Sequence, residues 1–257
     1  MKNELKLMET AARNAGAILL KYYKSHYEIY DKGYHNPVTT ADYASDGFLK
    51  ETLMGAYPDY GWLSEETADS PERYDKDRVW VVDPLDGTKE FIEGIPHFVV
   101  SIALVENGQP ILGVLYNPVT EELFVAEKGE GATLNGKSIT CSKETNLANC
   151  VVLKSRSETR KGLWDPYKDK FKEFRSIGSV AYKLGLMSAN KADLFVALRT
   201  KYEWDICAAH CIIRESRAIL LDLNGNDIRY NKENVAISPG IIAGNPILVR
   251  NSLHLFN

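Results

Sequence analysis

Residues 81–88 read Val-Val-Asp-Pro-Leu-Asp-Gly-Thr, an apolar run that leads straight into two aspartates, a proline, a glycine and a threonine. Asp83 and Asp86 stand three apart across a turn, so both side chains can reach one place with the Leu85 carbonyl between them. Three oxygens in such a fan suit a hard divalent cation, Mg2+ or Ca2+. Aspartate and glycine also gather in turns for backbone reasons alone, so the motif takes its meaning from what accompanies it. Ser64-Glu65-Glu66-Thr67 follows the apolar Trp62-Leu63 and fits a strand end, although adjacent glutamates by themselves read as a solvated turn. Trp204-Asp205-Ile206-Cys207-Ala208-Ala209 opens a small-residue helix, where Asp205 alone reads as an N-cap. No Ser-His-Asp arrangement stands out among the five histidines.

The elements that must position these groups follow from periodicity. Leu5, Met8, Ala12, Ala15, Leu19 and Tyr22 recur at helical steps and predict an amphipathic helix over 4–25. A second helix fits Thr40 to Tyr57, ending at Gly55 and Pro58. Arg78 to Val82 reads as a buried strand that stops at Pro84. Phe98 to Val105, Ile111 to Tyr116 and Leu123 to Ala126 form three more, with turns at Asn107-Gly108 and Asn117-Pro118, so an antiparallel meander is expected. The second half alternates: a strand near 151–153, a helix over 179–190, a strand over 193–198, a helix over 205–216 and a strand over 218–222. The fold class is therefore α+β (mixed α/β), with halves 1–145 and 146–257 expected to form one compact unit.

Composition narrows the functional classes. Thirty-one Lys+Arg against thirty-five Asp+Glu in 257 residues give a net charge of −4, with 26% charged and 44% hydrophobic residues, values ordinary for a soluble globular protein. An acidic balance argues against a general nucleic-acid binder, which needs a basic surface to displace counterions. The longest apolar runs fall well short of the ~20 residues that span a bilayer, and the opening residues carry no apolar signal core, so a cytoplasmic protein is expected. Cys207, His210 and Cys211 sit at helical spacing, but Cys141 and Cys150 supply no matching pair for a structural zinc site. Buried thiols are the expectation.

Taken together, DPLDGT, the SEET segment about twenty residues before it and WDICAA far downstream resemble the inositol monophosphatase superfamily of Mg2+-dependent, lithium-sensitive phosphatases. The likeness runs over most of the chain and includes Pro37-Val38-Thr39-Thr40-Ala41-Asp42, Gly178-Ser179 and Ala192-Asp193. It implies a layered αβαβα sandwich with the site between the two halves. It also implies metal ligands at Glu65, Asp83, the Leu85 carbonyl, Asp86 and Asp205, for two or three Mg2+ ions. Gly87 and Thr88 would offer amides to the phosphate. Thr88 and Asp42 would orient the attacking water, and Glu65 would aid its deprotonation. The chemistry agrees independently, since an acidic chain that gathers carboxylates to bind phosphate must neutralise them with cations.

The resemblance divides at the level of the substrate. Thr88-Lys89-Glu90-Phe91 looks most like the 3'(2'),5'-bisphosphate nucleotidase branch. The spacing from Gly178-Ser179 to Lys183 looks like inositol-1-monophosphatases, and Val196-Ala197-Leu198-Arg199 is similar to archaeal enzymes that accept inositol phosphate and fructose 1,6-bisphosphate. Inositol phosphatases typically place a glutamate before the Trp-Asp motif to accept hydrogen bonds from sugar hydroxyls. The corresponding stretch, Ala197-Leu198-Arg199-Thr200-Lys201-Tyr202, contains no acid until Glu203. Here Arg199 and Lys201 offer cations, with Lys183 as a third, and Tyr202 offers a flat ring. The expected function is hydrolysis of adenosine 3',5'-bisphosphate to AMP and phosphate, with a small phosphorylated metabolite as the only partner beyond a possible second copy of the chain. A metal-binding regulatory protein without turnover is the reading from another class. It would be expected to lose Asp42, Glu65 or Thr88, and all three are present. Glu215-Ser216-Arg217-Ala218 replaces the family's usual Glu-Ala-Gly-Gly, which puts the turn after that helix in question.

Overall fold

Alternation along the strands decides the layers. The computed structural model describes residues 1–33 and 37–256. Helices α1 (Lys2–Tyr22) and α2 (Thr40–Ala56) flank a short hairpin, β1 (Ile29–Asp31) and β2 (Pro37–Thr39). A seven-stranded sheet follows: β3 (Gly61–Ser64), β4 (Arg78–Asp86), then after α3 (Thr88–Ile92) β5 (Val99–Glu106), β6 (Gln109–Asn117), β7 (Glu122–Glu127), β8 (Gly131–Leu134) and β9 (Lys137–Ile139). β3 pairs parallel to β4, and every later neighbour is antiparallel.

A second sheet is built from β10 (Val151–Ser155), β11 (Glu173–Ile177), β12 (Leu194–Ala197), β14 (Ile219–Asp222) and β16 (Ile241–Gly244), in the order β11-β10-β12-β16-β14. Between these come α4 (Arg156–Arg160), α5 (Val180–Ser188), α6 (Glu203–Glu215) and the small pair β13 (Lys201–Tyr202) and β15 (Ala236–Ile237); α7 (Pro246–Ser252) closes the chain.

Trp80, Val82, Val100 and Ile102 face α1 and α2, while their neighbours Val79, Val81 and Ala103 face α5 and α6. On the second sheet Leu153, Phe195 and Ala243 meet the same two helices. Val152, Leu194 and Ile242 turn the other way, toward Trp164, Phe171 and α7. Strands buried on both faces read as continuous apolar runs, and the result is a mixed α+β, five-layer αβαβα sandwich. α6 lies so close to β6 that a Cβ on Gly113 would meet the Ala208 carbonyl at 2.3 Å.

Two elements differ from the sequence expectation in ways that matter to the site. The strand does not stop at Pro84. It continues to Asp86, and the register against β5 slips from Asp83↔Ser101 to Asp86↔Val99, so one extra residue bulges from β4. A bulge tolerates proline because its N–H is not needed for the ladder. Ser101 and Val99 point to the same face, so the slip brings Asp83 and Asp86 to the same face too; in a regular strand residues three apart would oppose each other. α6 begins at Glu203, earlier than expected, so Asp205 is not the N-cap. It occupies the third helical position, and its Oδ2 accepts from the Tyr202 N–H at 2.9 Å.

α1 stops at Tyr22, and Lys24 then turns with φ +58°. The turn after α6 forms without the expected glycine: Arg217 takes φ +68°, and Glu215 accepts from the amides of Gly129 and Gly131 at 2.9 Å each. All four cysteines are buried and free, and His210 Nδ1 bonds the Tyr230 hydroxyl at 2.8 Å. Among the described residues, no helix is long and apolar enough to cross a membrane.

Candidate active site

The carboxyl end of β3, the bulge of β4 and the first turn of α6 meet at one point. There Glu65, Asp83 and Asp205 each place a carboxylate oxygen within 4.8 Å of the other two. Two ligands on opposite sides of one ion lie at about twice the metal–oxygen distance, ~4.2 Å for Mg2+ and ~4.8 Å for Ca2+, so the spacing fits a single hard cation. Asp83 is held by the Leu85 N–H, which donates to its Oδ1 at 3.0 Å and forms the turn that carries the Leu85 carbonyl. The Pro84 carbonyl accepts from Ser45 on α2 at 3.0 Å, which pins the bulge. Asp46, one residue on, receives the hydroxyls of Ser64 and Thr67 and ties the SEET segment to the same helix.

Asp86 sits apart from this trio. Its Oδ2 accepts from the Ser179 hydroxyl and from the Ala181 N–H at 2.6 Å, leaving Oδ1 as the donor atom for a cation. Ser179, which holds φ +59° at the start of α5, is therefore a positioning residue that the sequence motifs did not single out as such. Its signals were the Gly178-Ser179 pair within the family likeness and its place immediately before an apolar helix.

Asp42 completes the floor. Thr39 donates to its Oδ2 from the backbone at 2.8 Å and from the hydroxyl at 2.6 Å, and Thr88 Oγ1 lies 3.0 Å from its Oδ1. Thr88 Oγ1 is also 3.2 Å from the Leu85 carbonyl. With its single proton directed to Asp42, it keeps lone pairs free to accept from a water. Gly87 takes φ +107°, and a Cβ there would meet the His97 carbonyl at 2.6 Å, so only glycine fits this corner. The amides of Gly87 and Thr88 open α3 and have no intrahelical acceptor.

Electrostatics mark the cluster as cation-seeking. Burial, then repulsion from Glu65, Asp86 and Asp205, pushes the Asp83 carboxyl well above the ordinary carboxylate range. Burial with Asp86 and Glu65 raises Asp205 to about 7. Burial lifts Asp86 to about 6 against its hydrogen bonds and Lys183, and lifts Asp42 to about 6 against the Thr39 and Thr88 bonds. Lys32 supplies some counter-charge, at 3.1 Å from Glu65 and 2.7 Å from Glu66.

The sign of the pH dependence follows. Between the ordinary value of 3.8 and the folded values of about 6 to 7, the folded chain holds more protons than the unfolded one, so stability falls as pH rises through that window. Chelator-treated protein should melt lower at pH 8 than at pH 5, by on the order of 5 °C. Mg2+ should restore more at pH 8 than at pH 5. A calorimetric melt that shows the same Mg2+ increment at both pH values would contradict the cluster as a cation site.

Above the floor opens a cavity of about 1230 Å3. Gly87, Thr88, Lys183, Arg199, Lys201 and Tyr202 all line it, as do Glu65, Leu85, Asp86 and Asp205. Arg199 is exposed on the loop between β12 and β13, and Lys201 Nζ rests on the Thr200 carbonyl at 3.0 Å. Lys183 is not the reaching arm that the sequence suggests. It is 2% exposed, and its ammonium donates to the carbonyls of Ile177 and Ser179. Burial lowers its pKa to about 8, so it acts on the cavity through its charge beside Asp86. Glu203 is turned away, accepting from the amides of Asn231 at 2.6 Å and Lys232 at 3.0 Å. The sequence motifs passed over Lys32 and the wall cations Arg156, Arg160 and Lys161 and carried Lys89 only as part of Thr88-Lys89-Glu90-Phe91, because scattered basic residues carry no spacing signal.

A five-layer αβαβα sandwich with a carboxylate trio, Asp83 buried and Glu65 and Asp205 half-buried, beneath a cationic cavity is the architecture of metal-dependent phosphatases of the inositol monophosphatase type. The chain belongs to the inositol monophosphatase family, a family of Mg2+-dependent phosphatases, whose model matches residues 1–254. It is 32% identical to the Nus factor SuhB of Escherichia coli over 258 residues, covering 97% of this chain and 94% of that protein. Among solved structures it is similar to the extragenic suppressor protein SuhB of Bartonella henselae, with a TM-score of 0.86 at 30% identity over 98% of this chain and 97% of that one. It is also similar to the inositol monophosphatase of Thermotoga maritima, with a TM-score of 0.87 at 27% identity over 100% and 96%.

Proposed function

We propose that the chain is a Mg2+-dependent phosphomonoesterase acting on small phosphorylated metabolites, with adenosine 3',5'-bisphosphate as the preferred substrate. The observation that carries the activity is the Asp42–Thr88 hydrogen bond beside the trio Glu65, Asp83 and Asp205, of which Thr88, Glu65 and Asp205 line one cavity. Glu65, Asp83, the Leu85 carbonyl, Asp86 and Asp205 would hold Mg2+, which when bound polarises phosphoryl oxygens and acidifies water. Thr88 accepts a hydrogen bond from the attacking water while its own proton is held by Asp42, which fixes the water's orientation. Glu65 receives the water's proton through solvent. As the water oxygen bonds to phosphorus, the bond from phosphorus to the ester oxygen breaks, and that oxygen leaves as a hydroxyl with a proton taken from solvent. The amides of Gly87 and Thr88 bind a non-bridging phosphate oxygen and stabilise the charge that gathers on it.

This set is what distinguishes an enzyme from a regulatory protein that kept only the fold, the reading to which the Nus factor name of the relatives points. Asp42, Glu65 and Thr88 are all present, and the first and last are within hydrogen-bonding distance. For the substrate, Glu203 is bound to backbone amides and is not available to sugar hydroxyls, whereas Arg199 and Lys201 stand on the cavity wall. Arg199 suits bidentate phosphate recognition and Lys201 a point charge.

Phosphate release from adenosine 3',5'-bisphosphate, inositol 1-phosphate and fructose 1,6-bisphosphate tests the assignment, and lithium sensitivity is read in the same assay. Arg199→Ala should lower kcat/KM for the bisphosphate nucleotide roughly ten- to a hundred-fold more than for a monophosphate. Equal losses on both, or faster wild-type turnover of inositol 1-phosphate than of either bisphosphate, would overturn the substrate reading.

A further inference from the structure

The cavity carries more positive charge than the floor requires. Lys89 follows Thr88 on α3, Arg160 and Lys161 end α4, and Arg199 lies on the loop after β12. All four line the same cavity as Asp86 and Asp205. They converge from three separate segments: burial at the wall, together with the charges of Arg199, Arg160 and Lys161, holds the Lys89 ammonium below the ordinary lysine value against the pull of Glu90. The nearby carboxylates are already engaged. Glu90 is bound by Arg156 at 3.0 Å, and Glu93 by Arg156 at 2.7 Å and Arg160 at 3.7 Å. Among the described residues, Lys89, Lys161 and Arg199 have no carboxylate within salt-bridge distance. Like charges gathered around one cavity repel unless an anion comes between them, and here they face a space open to a ligand.

We propose that Lys89, Lys161 and Arg199 form a distal anion site that takes the second phosphate of a bisphosphorylated substrate whose first phosphate lies on the carboxylate floor. The substrate used to test it rests on the phosphatase reading above. The site itself joins two walls, one from α3 and α4 and one from the β12–β13 loop. A ligand with two phosphates is therefore gripped at both ends, and one with a single phosphate only at the floor. Tyr202, whose ring stacks on Trp204 with centroids 5.0 Å apart and an interplanar angle of 10°, lines the same cavity and suits a flat group between the two phosphates.

The test compares wild type with Lys89→Gln/Lys161→Gln, both exposed positions where the fold should persist. The ratio of kcat/KM for adenosine 3',5'-bisphosphate to that for adenosine 3'-monophosphate should fall roughly ten- to a hundred-fold in the double variant. Calorimetric titration of the bisphosphate and of adenosine 3'-monophosphate, in the presence of chelator, supplies a readout without turnover. Wild type should bind the bisphosphate more tightly, and the variant should lose that preference and its salt dependence. An unchanged rate ratio together with an unchanged binding preference overturns the distal site, as do equal losses on both ligands. If wild type releases phosphate from neither ester while the binding preference is present and is lost in the variant, the phosphatase reading falls and the distal site stands.

Discussion

Asp83→Asn is expected to lower phosphate release by at least ~10^3-fold, the several kcal/mol that a bound divalent cation contributes as a Lewis acid, while leaving the chain folded. Asp83 is 1% exposed, and its Oδ1 accepts the Leu85 N–H. An asparagine can keep that bond and the turn it makes. What it removes is the negative charge shared with Glu65 and Asp205, and it aims an amide at a place where a cation must sit. The same change relieves repulsion when no cation is present. Chelator-treated Asp83→Asn should therefore melt above chelator-treated wild type, and Mg2+ should no longer raise its melting temperature. A variant that unfolds reports on packing and not on the site, so the melt is measured with the rate. Full activity of Asp83→Asn would show that the trio is not where the chemistry is held.

Thr88→Val and Asp42→Asn should each lower kcat by roughly 10^2- to 10^4-fold, the range for removing a positioned acid–base group, with a much smaller change in KM. Thr88 Oγ1 is the only atom of that side chain that joins Asp42 to the cavity, and valine replaces it with a methyl of the same shape. Thr88→Ser keeps the oxygen and should recover most of the rate. The buried Asp42 carboxyl, raised to about 6, must be ionised to hold the threonine proton, so the wild-type rate should decline as pH falls below about 6. Thr88→Val with kcat within a few-fold of wild type would remove both residues from the mechanism.

Much of this site is legible in the sequence because its chemistry is concentrated in short motifs. The fan of oxygens in DPLDGT, the acids after Trp62-Leu63 and the aspartate after Trp204 are each ambiguous singly; together they carry the family resemblance that implies the trio, and apolar alternation names the strands that carry it. What could not be read is how β4 delivers its two aspartates. Proline suggested a strand end, whereas the pairing with β5 absorbs it in a bulge, and that bulge is what turns Asp83 and Asp86 to one face. Asp205 read as a cap because an acid at a helix start usually is one; only the pairing of β13 with β15 shows that the helix opens two residues earlier. The positioning role of Ser179 and the wall cations Lys32, Arg156, Arg160 and Lys161 were harder still. Their roles come from contacts made across 93 residues, as between Ser179 and Asp86, or from convergence of loops, and neither leaves a local pattern. β11, an edge strand exposed along most of its length, lacks the alternation that identifies its neighbours.

Cleavage of a phosphate ester by this chain is proposed to depend on Mg2+ held by the carboxylate trio. The most direct test is inorganic phosphate release from adenosine 3',5'-bisphosphate by chelator-treated protein, titrated with MgCl2. Phosphate release that is absent without Mg2+, rises saturably with it and is lost in Asp83→Asn is the predicted result. Release that proceeds undiminished in excess chelator, or none at any Mg2+ concentration from this ester, inositol 1-phosphate or fructose 1,6-bisphosphate, would contradict it.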